Sequence, residues 1–219
     1  MVAARGAFLA TGGYEPVSDA LNECAAAKAP ARLVLDVGCG EGYYARRLAA
    51  AIGDVPLGGA DVAKSAVASA ASKHPAGHYA VASAFDLPLP PGSVDLLVSV
   101  FGPVAPAEFR RVVAPGGAVL AVNPGAAHLS ALRALVSDAP APQQIKDPLR
   151  GEPEQFHLVA RCEVRYPLAV TSLDVARQLF TMTPYRWHAP RDIEARLDLA
   201  VGAGLAVEID VVISTYRRL

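Results

Sequence analysis

The chain has 219 residues, of which 53% are hydrophobic and 19% are charged. This length and composition predict one α/β domain with a well-buried core, and they exclude wholesale disorder. Because 20 Lys and Arg residues balance 21 Asp and Glu residues, the net charge is −1 and the basic excess typical of nucleic-acid enzymes is absent.

The cysteines and the apolar runs exclude further classes of protein. Cys24, Cys39 and Cys162 lie far apart and form no C-x-x-C pattern, which argues against a zinc site and against a disulfide framework. No apolar run reaches the roughly 18 residues that a membrane span needs, and the first residues do not form a signal peptide. We therefore expect a cytoplasmic protein with no metal and no membrane partner.

The predicted elements begin with a glycine-rich lead-in, followed by an amphipathic helix over residues 16–28. Strands and helices then alternate, in the order strand 33–37, helix 43–52, strand 55–60, helix 64–73, strand 78–82, strand 94–100, helix 106–113, turn 114–117, strand 118–122 and helix 127–136. This alternation predicts a mostly parallel sheet with short right-handed crossovers.

The last third of the chain departs from this alternation. Residues 137–154 are rich in proline and charge and are predicted to form a mobile loop. A long strand over 156–170 and a last strand over 205–215 are joined by helices near 172–181 and 190–201. These two strands are predicted to form an antiparallel edge of the sheet.

The most informative motif is LVLDVGCGEG, residues 33–42. An apolar strand runs into Asp36 and then into glycines at alternate positions, and a helix follows directly. Such a turn brings bare backbone close to a nucleotide-like ligand. The spacing is G-x-G-x-G, whereas a dinucleotide fold requires G-x-G-x-x-G, and it resembles the first motif of the S-adenosylmethionine (SAM) methyltransferases. That resemblance implies a Rossmann-like class I methyltransferase fold with a seven-stranded sheet.

Polar groups at the next strand ends support the same prediction. Asp61 ends the second strand, where an acid accepts both hydroxyls of a ribose. The third strand runs into Ser83 and Ala84, where SAM enzymes usually place a polar group against the adenine amine. An alternative remains, in which the acids Asp36, Asp61 and Asp86 only cap helices or turns. The predicted cofactor-binding residues are Tyr14, Asp36, Gly38, Cys39, Gly40, Glu41, Gly42, Asp61, Val62, Ser83, Ala84, Ser99 and His128.

Five stretches resemble one subfamily, the bacterial 23S rRNA guanine-N1 methyltransferases. They are ARGAFLATGGYEP (4–16), LDVGCGEGYY (35–44), VASAFDLPLP (81–90), RVVAPGGAVLAVNPGAAHL (111–129) and MTPYRW (182–187), and the resemblance covers nearly the whole chain. It implies that Tyr14, Gly40, Glu41 and His128 occupy SAM-contacting positions. It also implies an N-terminal helical lid over residues 1–30 and a SAM-binding domain over 31–219, with a helical insertion at about 171–203.

One departure from the subfamily guides the choice of acceptor. Its members carry an N-terminal cysteine-ligated zinc module that helps to grip RNA, whereas this chain begins where that module would end. We therefore expect a small aromatic acceptor, and most specifically the indole of a tryptophan-derived metabolite. Some bacterial indole C3-methyltransferases resemble the same family in this shortened form. The alternatives are guanine-N1 methylation of a 23S rRNA hairpin and a non-catalytic SAM-binding protein. A monomer or a homodimer is expected.

Methyl transfer to a ring nitrogen or to indole C3 requires removal of a proton from the acceptor ring. Glu23, on the first predicted helix, is the predicted base, although a solvated helix carboxylate is an equal alternative. Tyr14 and His128 are the other predicted catalytic residues. Residues at 99–103 read SVFGP, which argues against exocyclic amine methylation. The predicted substrate-binding residues are Phe8, Glu23, Phe101, Tyr185 and Trp187, and the rings of Tyr185 and Trp187 would stack on a flat heterocycle.

Overall fold

The computed structural model describes residues 2–28, 32–137, 147–149, 151–152 and 154–219. Within these residues the strands form one sheet in the order β3–β2–β1–β4–β5–β7–β6, mostly parallel with an antiparallel edge, so the predicted fold class is confirmed. The strands are β1 (Val34–Val37), β2 (Leu57–Asp61), β3 (His78–Val81), β4 (Val94–Val100), β5 (Val113–Pro124), β6 (Phe156–Ala169) and β7 (Ala206–Arg218).

The helices connect these strands in the predicted manner. They are α1 (Val2–Leu9), α2 (Glu15–Ala26), α3 (Tyr43–Ile52), α4 (Lys64–Lys73), α5 (Pro106–Val112), α6 (Ser130–Val136), α7 (Leu173–Met182), a 3-10 helix (Pro184–His188) and α8 (Ile193–Gly202). The predicted bounds of α3, α4 and β4 agree with the structure residue for residue.

The parallel register brings the ends of the first four strands to one edge of the sheet. Asp36 of β1 pairs with Gly59 of β2 and with Val98 of β4, and Asp61 of β2 pairs with Val81 of β3. Ligands in open α/β sheets bind outside the carboxyl ends of the strands. The residues just after these strand ends therefore form the candidate site.

The core lies against the central strands. β4 reads VDLLVSV and is buried almost throughout, as expected for a central strand that is covered on both faces. Phe109 and Val112 of α5 are fully buried in the same cluster. α5 begins with Pro106 at its first turn, where proline fits because that position has no helical hydrogen bond to lose.

Several local features differ from the predictions. The turn predicted at 114–117 lies inside β5, because Val94 pairs with Val113 while Leu96 pairs with Ala118, so the extra residues form a bulge. The helix predicted over 127–136 begins only at Ser130. α1 was not predicted, and neither was the 3-10 helix. Most of the loop predicted over 137–154 lies outside the described residues.

The chain divides into two compact units. The sheet unit comprises Pro16–Asn123, Lys146–Cys162 and Val212–Leu219, and the helical unit comprises Met1–Glu15, Pro124–Ile145 and Glu163–Val211. In the helical unit α1 packs against α7, and α7 packs against α8 and the 3-10 helix. The predicted boundary between residues 30 and 31 falls outside the described residues, and the lid over 1–30 stays a prediction. Among the helices that the structure describes, none is both long and apolar enough to span a membrane.

Removing core volume from β4 tests this packing. Leu97 is fully buried, so Leu97→Ala leaves a cavity and should lower the free energy of unfolding by about 2–5 kcal/mol. Urea unfolding followed by circular dichroism measures the change. Leu199→Ala is the matched control, because Leu199 is exposed and its loss should cost less than about 0.5 kcal/mol. Equal losses in the two variants would contradict the assignment of the core.

Candidate active site

The glycine turn after β1 is tied to the end of β2 by three backbone donors. The N–H groups of Gly38 and Cys39 both donate to the carbonyl oxygen of Ala60, at 2.8 and 3.1 Å. The N–H of Gly40 donates to Oδ2 of Asp61 at 2.9 Å. Gly38 and Gly40 have φ values of 77° and 55°, in the left-handed region that favours glycine.

The loops after β1 and β4 run close to one another, backbone against backbone. A Cβ on Gly38 would lie 3.5 Å from the Cα of Gly102, and a Cβ on Gly102 would lie 3.1 Å from the carbonyl oxygen of Val37. The Cδ atom of Pro103 and the Oγ atom of Ser99 lie still closer to these two positions, at 3.4 and 2.8 Å. Glycine at positions 38 and 102 therefore lets the two loops pack directly against each other.

Asp61 has a structural role that leaves acceptor capacity for a ligand. Its Oδ1 accepts from the N–H of Ala63 at 2.9 Å, and its Oδ2 accepts from Gly40. The turn-capping contact that the alternative interpretation expects for Asp61 is therefore present. A carboxylate has about four lone-pair sites, so two of them are available for hydroxyl donors such as those of a ribose.

The ends of β2 and β3 carry exposed apolar side chains. Val62 follows Asp61 and is 72% exposed, and Phe85 follows β3 and is 69% exposed. Ser83 Oγ accepts from the N–H of Phe85 at 3.2 Å, and Ala84 is buried. Exposed apolar side chains beside a carboxylate with spare acceptor sites offer the kind of surface against which a purine ring packs.

An ion pair holds the segment after β3 in place. Glu108 Oε1 accepts from the N–H of Leu87, and Arg111 donates to the carbonyl oxygens of Leu87 and Leu89 at 2.8 and 2.7 Å. The bond from Arg111 lowers the pKa of Glu108, so the pair stays ionised at neutral pH. The sequence pattern did not indicate these two positioning residues.

The other predicted members of the glycine turn have defined environments. Asp36 and Cys39 are buried, and the thiol of Cys39 donates to the carbonyl oxygen of Gly40 at 3.6 Å. Glu41 Oε2 accepts from Lys73 Nζ at 2.7 Å. Gly42 caps α3 in a left-handed conformation.

The end of β4 carries a strained aromatic residue. Phe101 has a φ of 53°, is 37% exposed and donates its N–H to the carbonyl oxygen of Val122 at 2.9 Å. Beneath it Ser99 is buried, and its hydroxyl donates to the carbonyl oxygen of Pro103 at 3.2 Å. A bulky residue in the left-handed region is costly and is concentrated at functional sites, so Phe101 is a candidate acceptor contact.

The helical unit holds a second cluster, around His128. The backbone N–H of Asp210 donates to Nδ1 of His128 at 3.3 Å, which places the ring proton on Nε2. Nε2 lies 3.2 Å from the hydroxyl of Tyr14, so the histidine donates and the tyrosine oxygen accepts. The ring of Phe8 meets that of Tyr14 edge-on at 5.3 Å.

The His128 ring is neutral at physiological pH. Burial lowers its pKa to about 4, an effect that the positive charge of Arg133 increases and the negative charge of Asp210 opposes. A neutral imidazole beside a tyrosine suits the neighbourhood of a cationic ligand, because it adds no like charge.

The remaining predicted residues lie in varied surroundings. Glu23 is exposed on α2, Phe8 is fully buried and Tyr185 is half-buried. Trp187 is 70% exposed, and the guanidinium of Arg186 lies 4.0 Å from the centre of its ring. Their roles in catalysis and substrate binding stay predictions.

Comparisons with known proteins identify the family of this chain. Residues 34–117 match a methyltransferase domain family. The 23S rRNA (guanine(748)-N(1))-methyltransferase of Streptomyces fradiae is 35% identical over 90% of this chain and 71% of its own length. A protein of Micromonospora griseorubida named for 23S rRNA guanine-N1 methylation is 35% identical over all of this chain and 80% of its own length. The chain belongs to the 23S rRNA guanine-N1 methyltransferase family.

Solved structures support the fold. A protein of Anaeromyxobacter dehalogenans that is named for type II methyltransferases is 24% identical and superposes with a TM-score of 0.62, covering 91% of this chain and 94% of its own. The [4+2]-cyclase SpnF is 20% identical and superposes with a TM-score of 0.56, covering 91% of this chain and 80% of its own. Since a cyclase shares the fold, the fold alone does not fix the reaction.

Family membership makes the chain a SAM-dependent methyltransferase. The residues after β1, β2 and β3 fit SAM, because they combine a tight glycine turn, a carboxylate with spare acceptor sites and exposed apolar side chains. SAM supplies an electrophilic methyl group on a sulfonium. Among the residues that the structure describes, no group of three or more His, Cys, Asp or Glu residues is placed to hold a metal ion.

Asp61→Asn tests the cofactor site. The amide keeps the shape of the side chain but replaces one acceptor oxygen with a donor, so it cannot serve both Gly40 and a ribose diol. We expect the affinity for S-adenosylhomocysteine (SAH), measured by calorimetry, to fall by about 10- to 100-fold. Asp54→Asn, at an exposed acid before β2, is the control and should bind normally. Unchanged affinity in Asp61→Asn would remove Asp61 from the site.

The depressed pKa of His128 predicts an acid-sensitive fold. The unfolded chain takes up a proton near pH 6.5 but the folded chain only near pH 4, so stability falls as pH drops between these values. The loss attributable to His128 is up to about 1.4 kcal/mol per pH unit. Urea unfolding of wild type and His128→Gln from pH 7 to pH 4 measures it, with the exposed His157→Gln as control. The prediction fails if wild type and His128→Gln lose stability in parallel.

Proposed function

We propose that the protein methylates N1 of a guanine in 23S rRNA, with SAM as the methyl donor. The observation that carries this proposal is the 35% identity to the Streptomyces fradiae guanine-N1 enzyme over 90% of this chain. It replaces the small heterocycle as our first choice of acceptor, because the family relatives are named for guanine and not for indole.

Guanine N1 carries a proton, which must leave for the ring nitrogen to attack a methyl carbon. Glu23 is our proposed base for this proton. The side chain is exposed on α2, so a nucleotide flipped out of a large RNA substrate can reach it without a closed pocket. The carboxylate would form a hydrogen bond to N1–H and take the proton as the methyl–nitrogen bond forms.

Phe101 is our proposed stacking partner for the guanine. Its ring is exposed at the carboxyl end of β4, beside the loop that faces the glycine turn. Splayed-out RNA bases stack on aromatic rings, and the contact contributes about 1–3 kcal/mol per base. The strained backbone of Phe101 fixes the direction in which that ring is presented.

A small indole remains a second candidate acceptor. It is favoured by the net charge of −1, because phosphate neutralisation by Lys and Arg supplies much of the affinity of RNA-binding proteins. Tyr185 and Trp187, in the 3-10 helix, would then contact the heterocycle.

One assay separates the two acceptors. The purified protein is given radiolabelled SAM with a transcribed 23S hairpin and, in parallel, with indole derivatives and tryptophan-containing cyclic dipeptides. We expect label in the RNA and a primer-extension stop at one guanine, because a methyl group at N1 blocks base pairing. A hairpin with adenine at that position is the control and should stay unlabelled. Label in the small molecules alone would establish the second candidate, and label in neither would overturn both.

Phe101→Ala and Phe101→Leu refine the same assay. Both keep a non-glycine residue at the strained position, but only leucine retains bulk. If stacking is the role, both variants should lose at least about tenfold in kcat/KM for the hairpin, since leucine has no π-face. The affinity for SAH should remain at the wild-type value. Full activity in Phe101→Leu would show that bulk alone is needed.

A further inference from the structure

Asp210 is a buried acid that the proposed chemistry does not use. It lies in β7 between Ile209 and Val211, which are fully buried, and is itself only 1% exposed. A carboxylate in such surroundings is costly unless its oxygens are hydrogen-bonded or its charge is paired. The interactions that compensate it all lie in the helical unit.

Both carboxylate oxygens of Asp210 have partners. Oδ2 accepts from the N–H of Ala127 at 2.8 Å, and Oδ1 accepts from Nε of Arg165 at 2.9 Å. Arg165 is half-exposed, so it brings a hydrated positive charge to the buried acid from the solvent side. The acid is therefore anchored at both ends, by a loop amide and by an arginine.

The loop over residues 125–129 is pressed against this acid. The N–H of Gly125 donates to the carbonyl oxygen of Asp210 at 2.7 Å. A Cβ at position 125 would lie 2.3–2.5 Å from the carboxylate atoms, so only glycine fits. At the far end of the loop, the N–H of Leu129 donates to the carbonyl oxygen of Glu208 at 2.7 Å, and Leu129 has a φ of 52°.

His128 lies inside this fastened loop. Its Nδ1 accepts from the backbone N–H of Asp210, and its Nε2 faces the hydroxyl of Tyr14. The direction of both bonds depends on how closely residues 125–129 lie against β7. The Asp210 side chain holds the middle of the loop through Ala127, between the backbone bonds of Gly125 and Leu129.

We propose that Asp210 is a positioning residue for SAM binding, which acts by holding the 125–129 loop so that His128 donates from Nε2 to Tyr14. The proposal rests on the SAM-contacting positions that the family resemblance implies for Tyr14 and His128. A buried acid would then be retained because it fixes the donor direction of a histidine–tyrosine pair. Arg165 takes part by balancing the charge of Asp210.

A double-mutant cycle tests this proposal on the full-length protein. Asp210→Asn, His128→Ala and the double variant are compared for SAH affinity by calorimetry and for melting temperature. The asparagine presents N–H₂ to one of two donors, so one of the two anchors is lost. We expect each single variant to bind SAH about tenfold or more weakly. The double variant should bind no more weakly than His128→Ala alone, because Asp210 acts through His128.

A spectroscopic readout separates positioning from simple stabilisation. The ¹⁵N shifts of the His128 ring should report the Nε2–H tautomer in wild type and a mixture of tautomers in Asp210→Asn. Asp174→Asn, at an exposed acid of α7, is the matched control and should leave tautomer and affinity unchanged. If Asp210→Asn does not fold, Arg165→Met gives the same test from the solvent side and should shift the affinity in the same direction.

The SAH-binding test of Asp210 can succeed or fail independently of the methylation assay that identifies the acceptor. SAH binding requires no acceptor, so a missing RNA product leaves this test intact. The proposal is overturned if Asp210→Asn or Arg165→Met lowers the melting temperature while affinity and tautomer stay at their wild-type values. It is also overturned if the losses of affinity in the double variant multiply.

Discussion

The hydrogen bond from Gly40 to Asp61 is the contact on which the candidate cofactor site depends. It holds the glycine turn against the end of β2 while the carboxylate keeps acceptor sites for a ligand. The turn is held to β2 by the backbone N–H groups of Gly38, Cys39 and Gly40, which donate to the carbonyl oxygen of Ala60 and to the carboxylate of Asp61. The conformation of the glycine turn and the acid at position 61 therefore depend on each other. The alternation of strands and helices brings both to the same edge of the sheet.

The helical unit follows the same physical rule, that buried polar groups must be satisfied. There the carboxylate of Asp210 holds the loop of His128, and the histidine in turn donates to Tyr14. Loss of solvent keeps the imidazole neutral, so its direction of donation is set by the backbone around it and not by pH in the physiological range. In each unit an aspartate thus fixes a loop. Asp61 holds the glycine turn, and Asp210 holds the loop of His128.

The sequence was sufficient for features that local pattern determines. Periodicity predicts the bounds of α3, α4 and β4. The apolar run before Asp61 predicts the position of this acid at the end of β2. Asp210 and Arg165 were missed because their partners lie on distant segments, although an acid inside the apolar run of β7 was an available signal. The residues APGG have turn chemistry, so the pattern predicts a turn where the structure has a bulge in β5. Net charge does not decide between the two candidate acceptors, since it averages over the chain and does not describe local surfaces such as the stacked Arg186 and Trp187.

A crystal structure with bound SAH tests the central claim most directly. Our account predicts the ribose hydroxyls on the carboxylate of Asp61, the adenine against Val62 and Phe85, and the remainder of the ligand beside the turn of Gly38 and Gly40. A ligand seated elsewhere, or a ribose held by another residue while Asp61 keeps only its bonds to Gly40 and Ala63, would contradict it.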